Sequence, residues 1–135
     1  MKPRRYCKVC GKMVGLPIAI YCSNKCQQEE RYLVNIARWK AGEIPGAHGD
    51  GTITGFVRRY LIERDGERCS ECGWDKTHPV TGRVPLQGHH VNGDPTDHSE
   101  QNLRLLCPNC HSLTTNFGNL NRGKGRKQRY SKVLE

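Results

Sequence analysis

Apolar positions recur at helical spacing in two stretches of the chain, and the first lies between residues 24 and 40. Ser23 suits the N-cap of a helix because its hydroxyl can accept a hydrogen bond from a free amide of the first turn. Gly42 suits the end of the same helix. The pattern therefore predicts a helix from about residue 24 to residue 40. Its predicted buried face consists of Leu33, Ile36, Ala37 and Lys40.

The second helical stretch follows a glycine-rich segment, residues 41–51, whose composition is typical of a loop or linker. Thr52 or Thr54 is expected to cap this helix, which ends near Asp65 and Gly66. Its predicted buried face consists of Phe56, Val57, Tyr60 and Leu61. The arginines on the other face either contact phosphate groups or form a solvated surface; they are Arg58, Arg59 and Arg64.

Alternation of apolar and polar residues replaces the helical spacing after residue 83. Residues 84–91 alternate well enough for a strand, and the strongly turn-forming residues 92–95 end it. Residues 103–106 are expected to form a second short strand. Pro108 fits the first position of a helix, which is predicted over residues 108–117. The pattern in this part of the chain predicts a β-loop-β-α unit.

All eight cysteines stand in four close pairs. Hydrophobic residues make up 35% of the chain, less than a small domain needs to be stable through its core alone. No apolar run follows the basic residues 1–5, so an intracellular protein with reduced thiols is expected. Zinc is then favoured over the alternative, a set of disulfides. We predict two structural Zn²⁺ ions, each held by four thiolates. One set is Cys7, Cys10, Cys22 and Cys26, and the other is Cys69, Cys72, Cys107 and Cys110.

The chain is strongly basic, with 22 Lys and Arg residues against 13 Asp and Glu residues and a net charge of +9. Such a surplus indicates a polyanionic partner, and nucleic acid is the first candidate. A membrane role has no support, because no apolar run approaches the length of a membrane-spanning helix. Basic residues cluster in the tail, residues 121–135, which lacks apolar periodicity. The DNA contacts expected there are Arg122, Lys124, Arg126, Lys127 and Arg129.

Three histidines and an asparagine lie between or just after the cysteines of the second set: His89, His90, Asn102 and His111. Hydrolysis of a phosphodiester needs a base that deprotonates water and a group that stabilises the charge of the transition state, for which a divalent cation is suited. Neighbouring residues of a regular strand face opposite ways, so one of His89 and His90 should face a metal and the other the attacking water. The spacing alone leaves open which residue has which role. Asp94 and Asp97 are expected to serve turns. His98 is expected at the surface, with an approach to DNA or to the metal as the alternative.

The sequence Gly88-His89-His90, followed by Asn102-Leu103 and by Cys107-Pro108-Asn109-Cys110-His111, resembles the motif of the HNH endonucleases. These are ββα-metal nucleases, here in the form found in phage and mobile-element proteins, and the resemblance covers about residues 66–120. It implies that His89 and His111 bind a catalytic divalent cation, that His90 is the general base, and that Asn102 braces the loop that orients this base. Many relatives have aspartate in place of His89. Two imidazoles favour Ni²⁺, Zn²⁺ or Mn²⁺ over Mg²⁺, but all four cations stay open.

The fold class implied by this resemblance is α+β: a small zinc-stabilised ββα-metal nuclease domain preceded by an N-terminal zinc knuckle and a helix. The expected domains are residues 1–42 for the knuckle module, 43–51 for a linker, 52–120 for the nuclease domain and 121–135 for a basic tail. The implied function is a metal-dependent endonuclease that nicks or cuts DNA, expected to be double-stranded, as a monomer or dimer. The alternative is a non-catalytic, zinc-dependent DNA-binding module. A toxin-like nonspecific nuclease would use the same catalytic residues.

Overall fold

Five regular elements lie in the part of the chain that the computed structural model describes, residues 3–115 and residue 117. They are α1 (Asn24–Lys40), α2 (Gly55–Asp65), β1 (Gln87–His90), β2 (Leu103–Leu106) and α3 (Pro108–Ser112). The chain divides into two compact units, one ending at Ile44 and the other beginning at Pro45. This small mixed architecture confirms the predicted α+β class. Within the described ranges, no helix combines the length and the apolar character that crossing a bilayer requires.

Helix α1 has the bounds that its capping residues predict. Ser23 Oγ accepts a hydrogen bond from the Cys26 amide at 3.3 Å, which satisfies one of the free donors of the first turn. At the other end, Gly42 has a positive φ of 75°, and its amide donates to the Trp39 carbonyl. This left-handed conformation stops the helix at little cost because glycine has no Cβ.

The buried face of α1 differs from the prediction. Tyr32 and Trp39 are its buried residues, whereas Leu33 is 56% exposed. Ala37 and Lys40 are not the core positions of this face: Ala37 is exposed, and Lys40 is exposed as well. Aromatic rings remove more apolar area from water than aliphatic side chains do, so the face that carries them is the more favourable one to bury.

Helix α2 supplies apolar core to the second unit. Val57 and Leu61 are fully buried, and Phe56 and Tyr60 are half-buried, so the predicted face is largely correct. Thr54 occupies the N-cap position. The helix contacts β2, whose side chains Leu103, Leu105 and Leu106 are all buried.

Two of the three arginines of α2 connect the helix to the β-hairpin. Arg58 Nη1 donates to the Leu86 carbonyl at 2.9 Å. Arg64 donates to the carbonyls of Glu100 and Leu103, at 2.7 and 2.9 Å. These two side chains therefore satisfy backbone acceptors in the hairpin and in the residue before it. The sequence predicted a solvated or phosphate-binding surface instead.

The hairpin is antiparallel, and its register decides which side chains share a face. The partners are Gln87 with Leu106, Gly88 with Leu105, His89 with Arg104 and His90 with Leu103. Strand β1 is shorter than the predicted strand over residues 84–91. Val84 and Leu86 are buried as the alternation requires, but the Leu86 amide donates to the Val84 carbonyl at 2.8 Å instead of to a neighbouring strand. Pro85 has no amide to donate.

Helix α3 ends at Ser112, well before the predicted end at residue 117. The Leu113 amide donates to the carbonyls of both Asn109 and Cys110, and the Thr114 amide donates to the His111 carbonyl. The bonds to residues three positions back tighten the last turn and close the helix. His111 lies inside the shortened helix.

Both Cys-x-x-Cys pairs that precede a glycine form the same kind of knuckle. The amide of Gly11 donates to the Cys7 carbonyl at 3.0 Å, and the amide of Gly73 donates to the Cys69 carbonyl at 2.9 Å. The second knuckle is tied to the hairpin, because the Ser70 amide donates to the Leu105 carbonyl at 2.9 Å. The cysteines of this knuckle are thereby held beside the strand that leads into α3.

Candidate metal and catalytic centre

The two cysteine sets form two compact thiol clusters. In each set the four Sγ atoms lie within 4.8 Å of one another, and all eight cysteines are free thiols. The Sγ atoms of Cys72 and Cys107 are 3.8 Å apart, and those of Cys22 and Cys26 are 3.6 Å apart. A tetrahedral zinc with bonds of about 2.3 Å places its sulfur ligands about 3.8 Å apart. Both clusters therefore fit zinc, as the pairing predicts.

Backbone amides lower the pKa of one buried thiol in each cluster. The Cys10 amide is the main group that lowers the pKa of Cys7, to about 6. Burial raises the pKa of Cys69, but amides including that of Cys107 outweigh it and lower this pKa to about 6. In contrast, hydrogen bonding with Cys107 raises the pKa of Cys110. The second cluster thus places a thiol of lowered pKa beside one of raised pKa, and a bound cation would take the place of the remaining protons.

His89 and His111 come together although they lie on different elements. His89 is on β1 and His111 on α3, and their ring centroids are 5.6 Å apart with the planes at 71°. Both side chains are half-buried. Burial lowers the pKa of His89, with the charge of His111 as the second cause, and burial also lowers the pKa of His111. The neutral imidazoles favoured by burial are the form that binds a metal.

Gln87 holds the ring of His111 in a defined tautomer. Gln87 Oε1 lies 2.6 Å from His111 Nδ1, and an amide oxygen can only accept. Nδ1 therefore carries the proton, which leaves the lone pair on Nε2. Gln87 lies two residues before His89 and thus on the same face of β1, so the alternation of the strand contained a signal for this residue that the sequence prediction did not use.

His90 lies on the opposite face of β1 and contacts His98. His90 Nε2 is 3.0 Å from His98 Nδ1, and the ring centroids are 5.1 Å apart. The prediction that His98 is an exposed surface residue is wrong: it is half-buried against His90. Burial lowers the pKa of both side chains, and for His90 the charge of His98 is the second cause. No pattern in the sequence marks His98, because the loop that holds it must close before the two rings meet.

Asn102 closes that loop. Its side chain is 7% exposed, and Oδ1 accepts a hydrogen bond from the Asn92 amide at 2.9 Å. Nδ2 donates to Asn92 Oδ1 and to the Asp97 carbonyl, both at 2.9 Å. These three bonds connect the two ends of the loop that follows His90. The geometry fits the bracing role that the motif implies for Asn102.

Asp94 and Asp97 belong to turns within the same loop, as predicted. Asp94 Oδ1 accepts from the amide and hydroxyl of Thr96, and Asp97 Oδ1 accepts from the amide and hydroxyl of Ser99. Hydrogen bonds from these hydroxyls lower the pKa of each aspartate. The carboxylates are therefore occupied in holding the loop.

The predicted DNA contacts of the tail lie outside the described residues: Arg122, Lys124, Arg126, Lys127 and Arg129. The second unit brings together the other predicted site residues. His89 lies beside His111, Asn102 binds the loop after His90, and the four cysteines of the second set form one cluster.

Comparisons with known proteins identify the segment that contains this centre. A family model described as HNH endonuclease matches residues 69–117, which include the second cysteine set, the hairpin and α3. Over 75 residues the chain is 35% identical to the H-N-H endonuclease F-TflIV of Escherichia phage T5. The aligned stretch covers 53% of this chain and 32% of the phage protein, so the chain spans about a third of that relative's length. No solved structure gives a significant match.

Proposed function

We propose that this chain, which carries an HNH endonuclease domain at residues 69–117, hydrolyses phosphodiester bonds of DNA with the help of a divalent cation. One observation carries the proposal. The hairpin and the short helix α3 bring His89 and His111 together, and the next residue of β1, His90, forms a second pair with His98. A packed core needs neither pair, and hydrolysis of a phosphodiester needs a metal site and a base close together.

The donor set at His89 and His111 fits a divalent transition metal. Burial lowers the pKa of both imidazoles, which favours the neutral form that binds a metal, and the bond to Gln87 leaves Nε2 of His111 as the nitrogen that can bind a cation. When bound, the cation would supply Lewis-acid stabilisation of the charge on the phosphate and on the leaving oxygen. Two imidazoles favour Ni²⁺, Zn²⁺ or Mn²⁺ over Mg²⁺.

His90 is proposed as the general base. When His98 Nδ1 accepts the proton of His90 Nε2, the lone pair of His90 lies on Nδ1 and can take a proton from water. Asn102 positions this base indirectly, because it holds the loop that begins directly after β1 and contains His98. His98 and Asn102 are therefore positioning residues in this proposal.

The kind of DNA, the place of action and the number of strands cut are proposed for the same domain. A phage or mobile-element endonuclease acting on double-stranded DNA inside a host cell would meet the reducing conditions in which eight free thiols persist. One base and one catalytic metal site cut one strand at a time, so we propose that a monomer nicks DNA and that a second event or a dimer makes a double-strand break. The division into residues 1–42, 43–51, 52–120 and 121–135 stays a prediction.

The alternative is a DNA-binding module that uses zinc only for structure. The two thiol clusters fit this alternative equally well. It offers no reason, however, for a half-buried pair of histidines next to a second half-buried pair, since a binding module needs no base. The nuclease is therefore the better-supported function.

Cleavage of supercoiled plasmid, with Mg²⁺, Mn²⁺, Ni²⁺ and Zn²⁺ added in turn, tests the proposal. His90→Ala should lower the cleavage rate by about 10²–10⁴, the usual cost of losing a general base, while affinity for DNA is kept. His48→Ala is the matched control, because His48 is exposed in the same unit. If His90→Ala cleaves DNA at the wild-type rate, His90 is not the general base. Linear product without a nicked intermediate at low protein concentration would contradict the monomeric nickase.

A further inference from the structure

A basic groove in the second unit is not used by the catalytic proposal. It has a volume of about 510 Å³, and its charged lining consists of Arg64, Asp65, Arg68 and Arg104. We propose that Arg68 and Arg104 bind consecutive phosphates of the DNA backbone in this groove and lead the strand to the His89–His111 pair. This inference rests on the proposed function and adds the surface that holds the substrate.

The charge balance of the groove favours a polyanion. Asp65 is its one carboxylate, and both of its oxygens accept from Arg64, at 2.9 and 2.8 Å. Within the described ranges, neither Arg68 nor Arg104 forms an ion pair with a carboxylate. Two guanidinium groups thus line one groove without a neutralising partner, which is unfavourable until an anion enters.

The fold holds the Arg104 guanidinium and leaves room beside Gly66 for the Arg68 side chain. Arg104 Nη1 donates to the carbonyls of Gln101 and Leu103, at 3.2 and 2.8 Å, and its other N–H groups remain for an anion. The Arg68 side chain passes over Gly66, where a Cβ would meet Arg68 Nε at 3.4 Å. Gly66 has a positive φ of 86°, so glycine both permits the turn and leaves room for the arginine.

The groove is connected to the catalytic centre through the hairpin register. Arg104 is the partner of His89 in the ladder, so the two side chains leave the same face of the hairpin from Cα atoms roughly 5.5 Å apart. The residue that lines the groove and a residue of the metal-binding pair therefore stand opposite each other on the two strands of the hairpin.

The neighbouring hollow shows why the anion is assigned to this groove. That second hollow shares Arg64, Asp65 and Arg104 but also contains Glu100, and its volume is about 420 Å³. The additional carboxylate repels a phosphate, whereas the first groove has Arg68 in its place. The strand is therefore expected to run from Arg68 towards Arg104.

The test measures binding to a 20-base-pair duplex by fluorescence anisotropy between 50 and 200 mM salt, with the zinc-loaded full chain and no added catalytic metal. Arg68→Gln and Arg104→Gln should each lower the slope of log K against log salt by about 0.9. Between 50 and 200 mM salt, the affinity of the wild type should therefore fall by about threefold more than the affinity of either variant. Arg104→Lys should keep most of the slope, because it keeps the charge. Arg59→Gln is the matched control: it removes the same charge from an exposed arginine of α2 that pairs with Glu63 and does not line the groove.

The outcomes separate this inference from the proposed function. Slopes for Arg68→Gln and Arg104→Gln equal to that of Arg59→Gln, with wild-type DNA binding intact, would overturn the groove and leave the nuclease in place. If inorganic phosphate binds the groove but the slopes do not change, the groove is an ion site and the inference is wrong. If the wild-type chain binds no DNA, the proposed function itself is wrong. Equal melting temperatures of the variants show that binding, and not folding, is compared.

Discussion

Asn102→Ala is the sharpest test of how the loop that follows His90 is held. The substitution removes three hydrogen bonds, all at 2.9 Å, from a side chain that is 7% exposed. A net contribution of about 1 kcal/mol for each bond gives a decrease of about 3 kcal/mol in the free energy of unfolding. Asn92 Oδ1 keeps a second donor, the Asp94 amide at 2.8 Å, which lowers the expected decrease to about 2–3 kcal/mol.

The measurement is urea unfolding at saturating zinc, so that metal release does not contribute to the difference between variants. For a unit of this size the expected decrease corresponds to a melting temperature lower by about 10–15 °C. Asn109→Ala is the control, because Asn109 is exposed and lies outside the loop. The loop begins directly after His90 and contains His98, so cleavage by Asn102→Ala should fall together with stability.

Asn102→Asp separates the donors from the acceptor. The aspartate keeps an oxygen for the Asn92 amide but places its other oxygen against Asn92 Oδ1 and the Asp97 carbonyl. It should therefore be at least as unstable at neutral pH as the alanine variant. An unfolding free energy within about 0.5 kcal/mol of wild type for Asn102→Ala would refute the reasoning, since it would mean that water replaces all three bonds.

Three further predictions concern the metals, the pH and the tail. Elemental analysis of protein purified under reducing conditions should find about two zinc ions per chain, one for each thiol cluster, whereas disulfides found by mass spectrometry would contradict the zinc sites. Burial lowers the pKa values of His89, His90 and His111 below the ordinary value of about 6.5, which favours neutral imidazoles at pH 7. Cleavage should therefore be lost only as the pH falls below about 6.5. A loss of cleavage that begins above pH 7 would contradict the roles assigned to these three histidines. Deleting residues 121–135 should weaken binding to all DNA sequences alike, with a slope of log K against log salt that is lower by about 0.9 for each phosphate that the tail neutralises. A change in the cleaved sequence would instead make the tail a specificity element.

Local chemistry allowed a large part of the fold to be predicted from the sequence. The bounds of α1 depend on Ser23 and Gly42, which act on neighbouring backbone groups, and the knuckle turns depend on a glycine next to its own cysteines. The two thiol clusters follow from the spacing of the pairs, because four sulfur atoms around one cation leave few arrangements. Features set by interactions within a few residues of the chain can be read from the order of those residues.

The tertiary structure alone decided the features that join distant residues. Tyr32 and Trp39 occupy the buried face of α1 because total buried area, and not aliphatic periodicity, determined the more favourable face. Arg64 donates to carbonyls of the hairpin, acceptors that exist only after the chain has folded back on α2. His98 meets His90 for the same kind of reason. Nε2 of His90 lies 3.0 Å from Nδ1 of His98 because Asn102 holds the loop that contains His98. The free energy of closing this loop is distributed over hydrogen bonds that no short segment of sequence contains.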